Sequence, residues 1–247
     1  MEQHAFTACL AGLLVDYHAR EAQTARYFRA FAAQGRSQLP PVALTEEDLN
    51  QARQAYPPMS SPALVEFHAL APATADTLLP YRRCVFHGTA FIWRGRAWIF
   101  TAPSGTGKTT QYILWKSLYG EQIQMLNGDK PILAWAEDGQ IWVYPSPWTG
   151  KEGMGRGEAA PLGGVIYLAQ GRENTIAPLA PAQAAAPLFC QFLFSAATAA
   201  AVEQACALEE QLLATVPVWL LANRGDEASA RLTHDTILQW EGERNDP

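Results

Sequence analysis

Lysine is nearly missing from this chain of 247 residues. Of its 18 basic residues only four are lysines, Lys108, Lys116, Lys130 and Lys151, all in one segment. Charge of either sign is thin: 17% of residues are charged against 49% hydrophobic, with a net charge of −6. So apolar a chain is not a disordered tail, and its acid excess argues against a general nucleic-acid binder. Paired cysteines are missing too. Cys9, Cys84, Cys190 and Cys206 form no C-x-x-C pair and no zinc spacing, and each sits in an apolar stretch. They read as small buried hydrophobes of a reduced, cytoplasmic protein. The N-terminus has no positive n-region, and Asp16 ends its short apolar run, so no signal peptide is expected. The charge-free stretch from Ala184 to Val202 is dominated by alanine and contains Pro187, Gln191, Ser195 and Thr198. Alanine contributes little to membrane insertion, so the stretch reads as buried helices and no membrane partner is expected.

The length predicts one large domain with a small appendage. Residues 1–80 are expected to form a small α/β appendage without a recognisable site. It would hold a strand over 6–18, a helix over 20–34 with Gly35 as C-cap, a helix from the capping box Thr45-Glu-Glu-Asp48 to Tyr56, and a helix over 62–79. Residues 81–247 are expected to form the main domain. Strands are predicted over 84–93 and 96–101 around Arg94-Gly95, and over 122–126. Others lie over 132–135 and 140–144 around Glu137-Asp138-Gly139, and over 162–169 and 216–222. Helices are predicted over 108–119, over 183–214 with breaks near Pro187 and Ser195, and over 226–241. Strands mixed with helices and at least one hairpin imply an α/β domain with a mixed sheet.

Residues 102–109 read Ala-Pro-Ser-Gly-Thr-Gly-Lys-Thr, the phosphate-loop pattern G-x-x-x-x-G-K-[ST] with alanine at the first position. A predicted strand enters the segment and a predicted helix leaves it. Gly105 and Gly107 would let consecutive N–H groups curl into an anion nest, with the helix dipole behind them. Ala102 through Thr110 are therefore the candidate nucleotide-binding residues: Ala102, Pro103, Ser104, Gly105, Thr106, Gly107, Lys108, Thr109 and Thr110. Lys108 would reach the β- and γ-phosphates, and the Thr109 hydroxyl would ligate Mg²⁺.

Such a loop is shared by kinases and hydrolases, and phosphoryl transfer also needs an acid. Asp129, in Gln-Met-Leu-Asn-Gly-Asp-Lys, is the candidate, because it follows a short apolar strand able to run beside the loop's strand. Asp138 reads as a turn residue. His87 opens the strand before the loop and is a candidate that a structural role would equally explain. Pro145 to Gly157 is rich in proline and glycine, and it offers Trp148, Lys151, Glu152 and Arg156, with Lys130 nearby, as candidate substrate contacts. Lys116, on the helix after the loop, reads as solvated.

In that order, His87-Gly88, strand, hairpin, Ala-Pro-Ser-Gly-Thr-Gly-Lys-Thr, helix and Asn-Gly-Asp-Lys, the sequence resembles the HPr serine kinase/phosphorylase and phosphoenolpyruvate carboxykinase type of phosphate-loop fold. It is most similar to the small HPr kinase-like proteins, in which a segment like Ser146-Pro-Trp-Thr-Gly-Lys-Glu-Gly153 follows the acidic strand. The resemblance covers about residues 84–222. It implies ATP and Mg²⁺ as cofactors, Lys108, Asp129 and His87 as catalytic residues, Thr109 and Asp129 as metal ligands, and a protein or peptide serine as acceptor. Only one acid of the family's Asp-Asp pair stands here, at Asp129, and no basic residue stands at Ala160-Pro161. The leading reading is an ATP-dependent kinase; a non-catalytic ATP-binding sensor and a slow phosphate-loop ATPase are the alternatives. A homo-oligomer stays open.

Overall fold

The computed structural model describes residues 3–150, 153–155, 157–195 and 198–245. The apolar run 6–18 is not one strand: Ala11 (φ 46°) and Gly12 (φ 80°) turn it back on itself. The result is an antiparallel hairpin of β1 (His4–Leu10) and β2 (Leu13–Ala19). The segment expected as a helix to Gly35 is a 3₁₀ helix, Thr24–Phe31, ending at Ala32. Both of its ends are fixed from outside. The buried Glu66 carboxylate accepts from the backbone N–H groups of Arg20 (2.7 Å) and Glu21 (3.0 Å) and from the Thr24 hydroxyl (2.6 Å). Past the other end, Ala33 N–H donates to the Thr7 carbonyl at 3.0 Å, so the chain leaves the helix to meet β1.

β3 (Val42–Ala43) pairs parallel with β2. α1 (Glu46–Gln54) starts with the predicted capping box: Asp48 N–H donates to Thr45 Oγ1 at 3.1 Å and Thr45 N–H to Asp48 Oδ2 at 2.8 Å. α2 (Pro62–Leu78) follows. The strand expected over 84–93 is broken at His87-Gly88 into β4 (Arg83–Phe86) and β5 (Thr89–Trp93). β6 (Arg96–Thr101) and α3 (Lys108–Tyr119) stand as the sequence predicts.

The rest of the chain supplies β7 (Gln124–Asn127), β8 (Ile132–Trp135), β9 (Ile141–Tyr144), β10 (Ala160–Gln170) and β11 (Thr175–Pro178). Then come α4 (Pro181–Phe189), β12 (Phe192–Leu193), α5 (Ala199–Thr215), β13 (Val218–Asn223) and α6 (Glu227–Asn245). β11, mostly exposed and without clear alternation, has no sequence signal; it pairs antiparallel with β13. The charge-free stretch falls on α4, β12 and α5, and no helix among the described residues is long and apolar enough to cross a membrane.

The large sheet runs β12-β4-β8-β9-β10-β6-β5-β7, with β13 beside β10 and β11 beside β13. β6, β10 and β13 are parallel, while β5 and β7 alternate in direction outside β6. This is the mixed α/β architecture expected from the sequence. Residues alternate faces along β10. Val165 packs with Leu188 of α4 and Leu208 and Leu212 of α5, whereas Ile166 packs with Trp98, Tyr112 and Trp115, and with Ala230 and Ile237 of α6.

A third core lies across position 80. Tyr17, Phe28, Phe67 and Leu70 pack with Val85, Ile132 and Trp148. Here a sequence expectation fails. Trp148 is not an aromatic tip offered to a substrate: it is fully buried, edge-on to Phe28 (5.7 Å) and stacked near Phe67 (5.9 Å). Its indole N–H donates to the Phe67 carbonyl at 2.9 Å, which satisfies its one polar group inside the core. Trp148→Ala should lower stability by about 4 kcal/mol in equilibrium urea unfolding, and a loss below about 1 kcal/mol would contradict this packing.

Candidate active site

Strand directions bring three sequence motifs to one edge of the sheet. β6 and β7 are both antiparallel to β5, so both end where β5 begins. The glycine loop after β6, Gly128-Asp129 after β7 and His87-Gly88 before β5 therefore share that edge. Asp129's strand does not run directly beside β6, as the sequence reading had it. β5 lies between them, with Thr89 opposite Phe100 and Ala90 opposite Asn127. Crevices beyond the carboxyl ends of strands are where open α/β sheets hold ligands.

The glycine loop spans Ala102 to Gly107. Gly105 (φ +81°) and Gly107 (φ +104°) have left-handed backbones. A Cβ at Gly105 would meet nothing within 4 Å, so conformation rather than crowding demands glycine. Ala102 is fully buried, while Pro103, Ser104 and Gly105 are exposed. Thr106 Oγ1 donates to the Pro103 carbonyl at 2.9 Å and tightens the turn. Lys108 is buried under the loop, its ammonium donating to the carbonyls of Ala102 (2.9 Å) and Pro103 (3.3 Å). Burial lowers its pKa, and the Asp129 charge opposes that shift. Thr109 and Thr110 follow in the first turn of α3, half-buried and exposed respectively.

Asp129 is held by a buried frame. The Asn127 side-chain oxygen accepts from the N–H groups of Asp129 (3.0 Å) and Lys130 (2.8 Å). Its amide nitrogen donates to the carbonyl (3.1 Å) and hydroxyl (3.2 Å) of Ser146. Ser146 Oγ donates to the Lys130 carbonyl at 2.5 Å, and Gly88 N–H to the Asp129 carbonyl at 2.8 Å. A Cβ on Gly128 would stand 2.6 Å from the Thr149 carbonyl oxygen, so only glycine fits.

The Asp129 carboxylate faces two partners: Lys130 Nζ bonds Oδ2, and His87 Nε2 lies 3.6 Å from Oδ1. His87 Nδ1 meets Gln191 Oε1 at 3.0 Å. With that oxygen as acceptor, Nδ1 carries the proton and Nε2 turns its lone pair to Asp129. Burial, followed by the Lys108 charge, lowers the imidazole pKa against the pull of Asp129, so the ring is neutral at neutral pH.

Two further rings face this pair. Burial and then the Asp129 charge raise the Tyr56 phenol, and burial and then the Lys130 charge lower the His68 imidazole. Tyr56 and His68 stack at 5.6 Å. The first 80 residues, read from sequence as lacking a site, thus deliver two side chains to it. The sequence reading also missed Asn127, Ser146 and Gln191. Asn127 carried a usable signal, because Asn-Gly-Asp favours a side-chain-closed turn; Gln191 carried none.

Lys116 is not simply solvated: it donates to Glu121 Oε1 (3.2 Å) and to the Ile123 carbonyl (3.1 Å) and ties down the end of α3. Lys151, Glu152 and Arg156 lie outside the described residues. Among the described residues no group of three or more His, Cys, Asp or Glu side chains is placed to hold a metal ion. The oxygen donors Thr109 and Asp129 suit Mg²⁺, which usually takes one or two protein oxygens together with substrate phosphates.

No protein-family model and no curated protein sequence matches the chain. Among solved structures it is similar to the HPr(Ser) kinase/phosphatase from Coxiella burnetii, at 11% identity and a TM-score of 0.38, over 64% of this chain and 98% of that one.

The buried Asn127 gives the site a test of its own. Asn127→Ala strands the Asp129 and Lys130 amides and should lower stability by about 3 kcal/mol in chemical denaturation. A change within about 0.5 kcal/mol would contradict the frame.

Proposed function

We propose that the chain is an ATP-dependent kinase of the HPr kinase-like type, transferring the γ-phosphoryl group to a serine hydroxyl of a protein or peptide. One observation carries the reading: a left-handed glycine loop at the start of α3 shares a sheet edge with the Asp129–His87 pair, and Lys108 feels the charge of Asp129.

The N–H groups at the start of α3 and the Lys108 ammonium bind the phosphate chain. Lys108 then leaves its two carbonyl partners for phosphate oxygens. Thr109 and Asp129 are the residues that would hold Mg²⁺, and the ion, when bound, supplies positive charge against the phosphates. Asp129 receives the acceptor's hydroxyl proton. The serine oxygen forms its bond to the γ-phosphorus as the bond to the β-phosphate oxygen breaks and ADP leaves. The bare Nε2 of His87 faces the same carboxylate oxygen, so a proton taken by Asp129 is held between the two. Lys130 keeps the other oxygen oriented.

Wild type incubated with [γ-³²P]ATP and native lysate should label an acceptor on serine. Asp129→Asn should reduce turnover by ~10²–10⁴-fold, the usual worth of a general base, while retaining most ATP affinity in calorimetry. Lys108→Ala should lose both. ATP binding without labelling of any acceptor, and insensitive to Asp129→Asn, would replace this reading with the sensor. Slow hydrolysis alone would replace it with the ATPase.

A further inference from the structure

A cavity of about 540 Å³ opens between the 3₁₀ helix, α2 and the backbone of Pro147 to Gly155. One of its walls is the wall of the candidate active site. Lys130 N–H donates to the Trp148 carbonyl (3.1 Å) and Gly128 N–H to the Met154 carbonyl (3.0 Å), so the segment that lines the cavity also holds Asp129. His68 lines the cavity too, and its ring feels Lys130 and Asp129.

The lining is charged in one sense. Arg26, Arg29 and His68 contribute, and no Asp or Glu lines it among the described residues. On a chain of net charge −6 this is a local reversal. Both arginines are exposed, and among the described residues neither has an ion-pair partner. Their spacing is set by the helix type. A 3₁₀ helix has three residues per turn, so Arg26 and Arg29 stand one above the other, about 6 Å apart along the axis. Alternate side chains of an extended peptide leave one face about 7 Å apart. The row is rigid, because Glu66 pins the start of the helix and Ala33 its exit. Beside it, Tyr27 stacks on Phe67 at 4.5 Å and gives the cavity an aromatic floor.

We propose that this cavity docks the acceptor, an extended acidic peptide segment with carboxylates at alternate positions, one to each arginine, its serine passing His68 towards Asp129. The proposal rests on the kinase reading for the fate of the serine, but docking itself needs no ATP.

The test is fluorescence anisotropy with the full chain, without nucleotide. The probes are a fluorescein-labelled serine peptide bearing Glu-Ala-Glu and its Lys-Ala-Lys counterpart. The acidic probe should bind, more weakly as salt rises, and the basic one should not. Arg26→Glu/Arg29→Glu should weaken binding roughly tenfold or more, while Arg26→Lys/Arg29→Lys keeps most of it and shows that charge, not folding, is read. MgATP affinity should be the same in both variants. Equal binding of the two probes, no binding of either, or wild-type affinity in the charge-reversed variant would overturn the proposal. Failure to bind MgATP at all would overturn the kinase reading instead, while the anisotropy still decides the cavity.

Discussion

Asn127 is fully buried at the end of a strand, and its side-chain amide has both donors and its acceptor oxygen engaged. A primary amide left unpaired in a core is expensive, so these bonds set the path of everything that touches them. They close the turn that carries Asp129, fasten it to Ser146, and through Ser146 fix the segment entering Trp148. Trp148 is in turn the plug of the core that the first 80 residues build with β4 and β8. A functional carboxylate, a core tryptophan and an N-terminal lobe are thus linked through one side chain.

That linkage explains why the site is built from both parts of the chain. The sheet edge gathers the glycine loop, His87 and Asp129. The Asp129 turn packs its Gly128 against the Thr149 carbonyl, where no Cβ fits. Thr149 then lines the cavity that α2 and the 3₁₀ helix complete. The result is a nucleotide-type loop on one side of Asp129 and a cationic, aromatic-floored cavity on the other. The lysines confined to one segment sort accordingly: Lys108 lies under the loop, Lys130 on Asp129, and Lys116 at the end of its helix.

Local rules made much of this legible. The bounds of α3, the α1 capping box and the β5–β6 hairpin followed from glycines, caps and alternation. The glycine loop and Asp129 were legible as motifs because their chemistry demands particular residues at short spacing. What depends on distant partners was not legible. Glu66 reaches back across more than 40 positions to set the start of the 3₁₀ helix. Trp148 looked like a loop tip among prolines and glycines, and only the Phe28–Phe67 pocket shows it to be core. His68 and Tyr56 carry no local pattern at all, and they join the site only because α1 and α2 pack beside the Asp129 turn.

The central claim is that the glycine loop and the Asp129 turn are two halves of one phosphoryl-transfer site. A crystal structure of the full chain with Mg²⁺ and a non-hydrolysable ATP analogue tests it most directly. The account places the triphosphate on the backbone amides of residues 104–109, with the γ-phosphate between Lys108 Nζ and the Asp129 carboxylate. A triphosphate bound elsewhere, or a γ-phosphate directed away from Asp129, would contradict it.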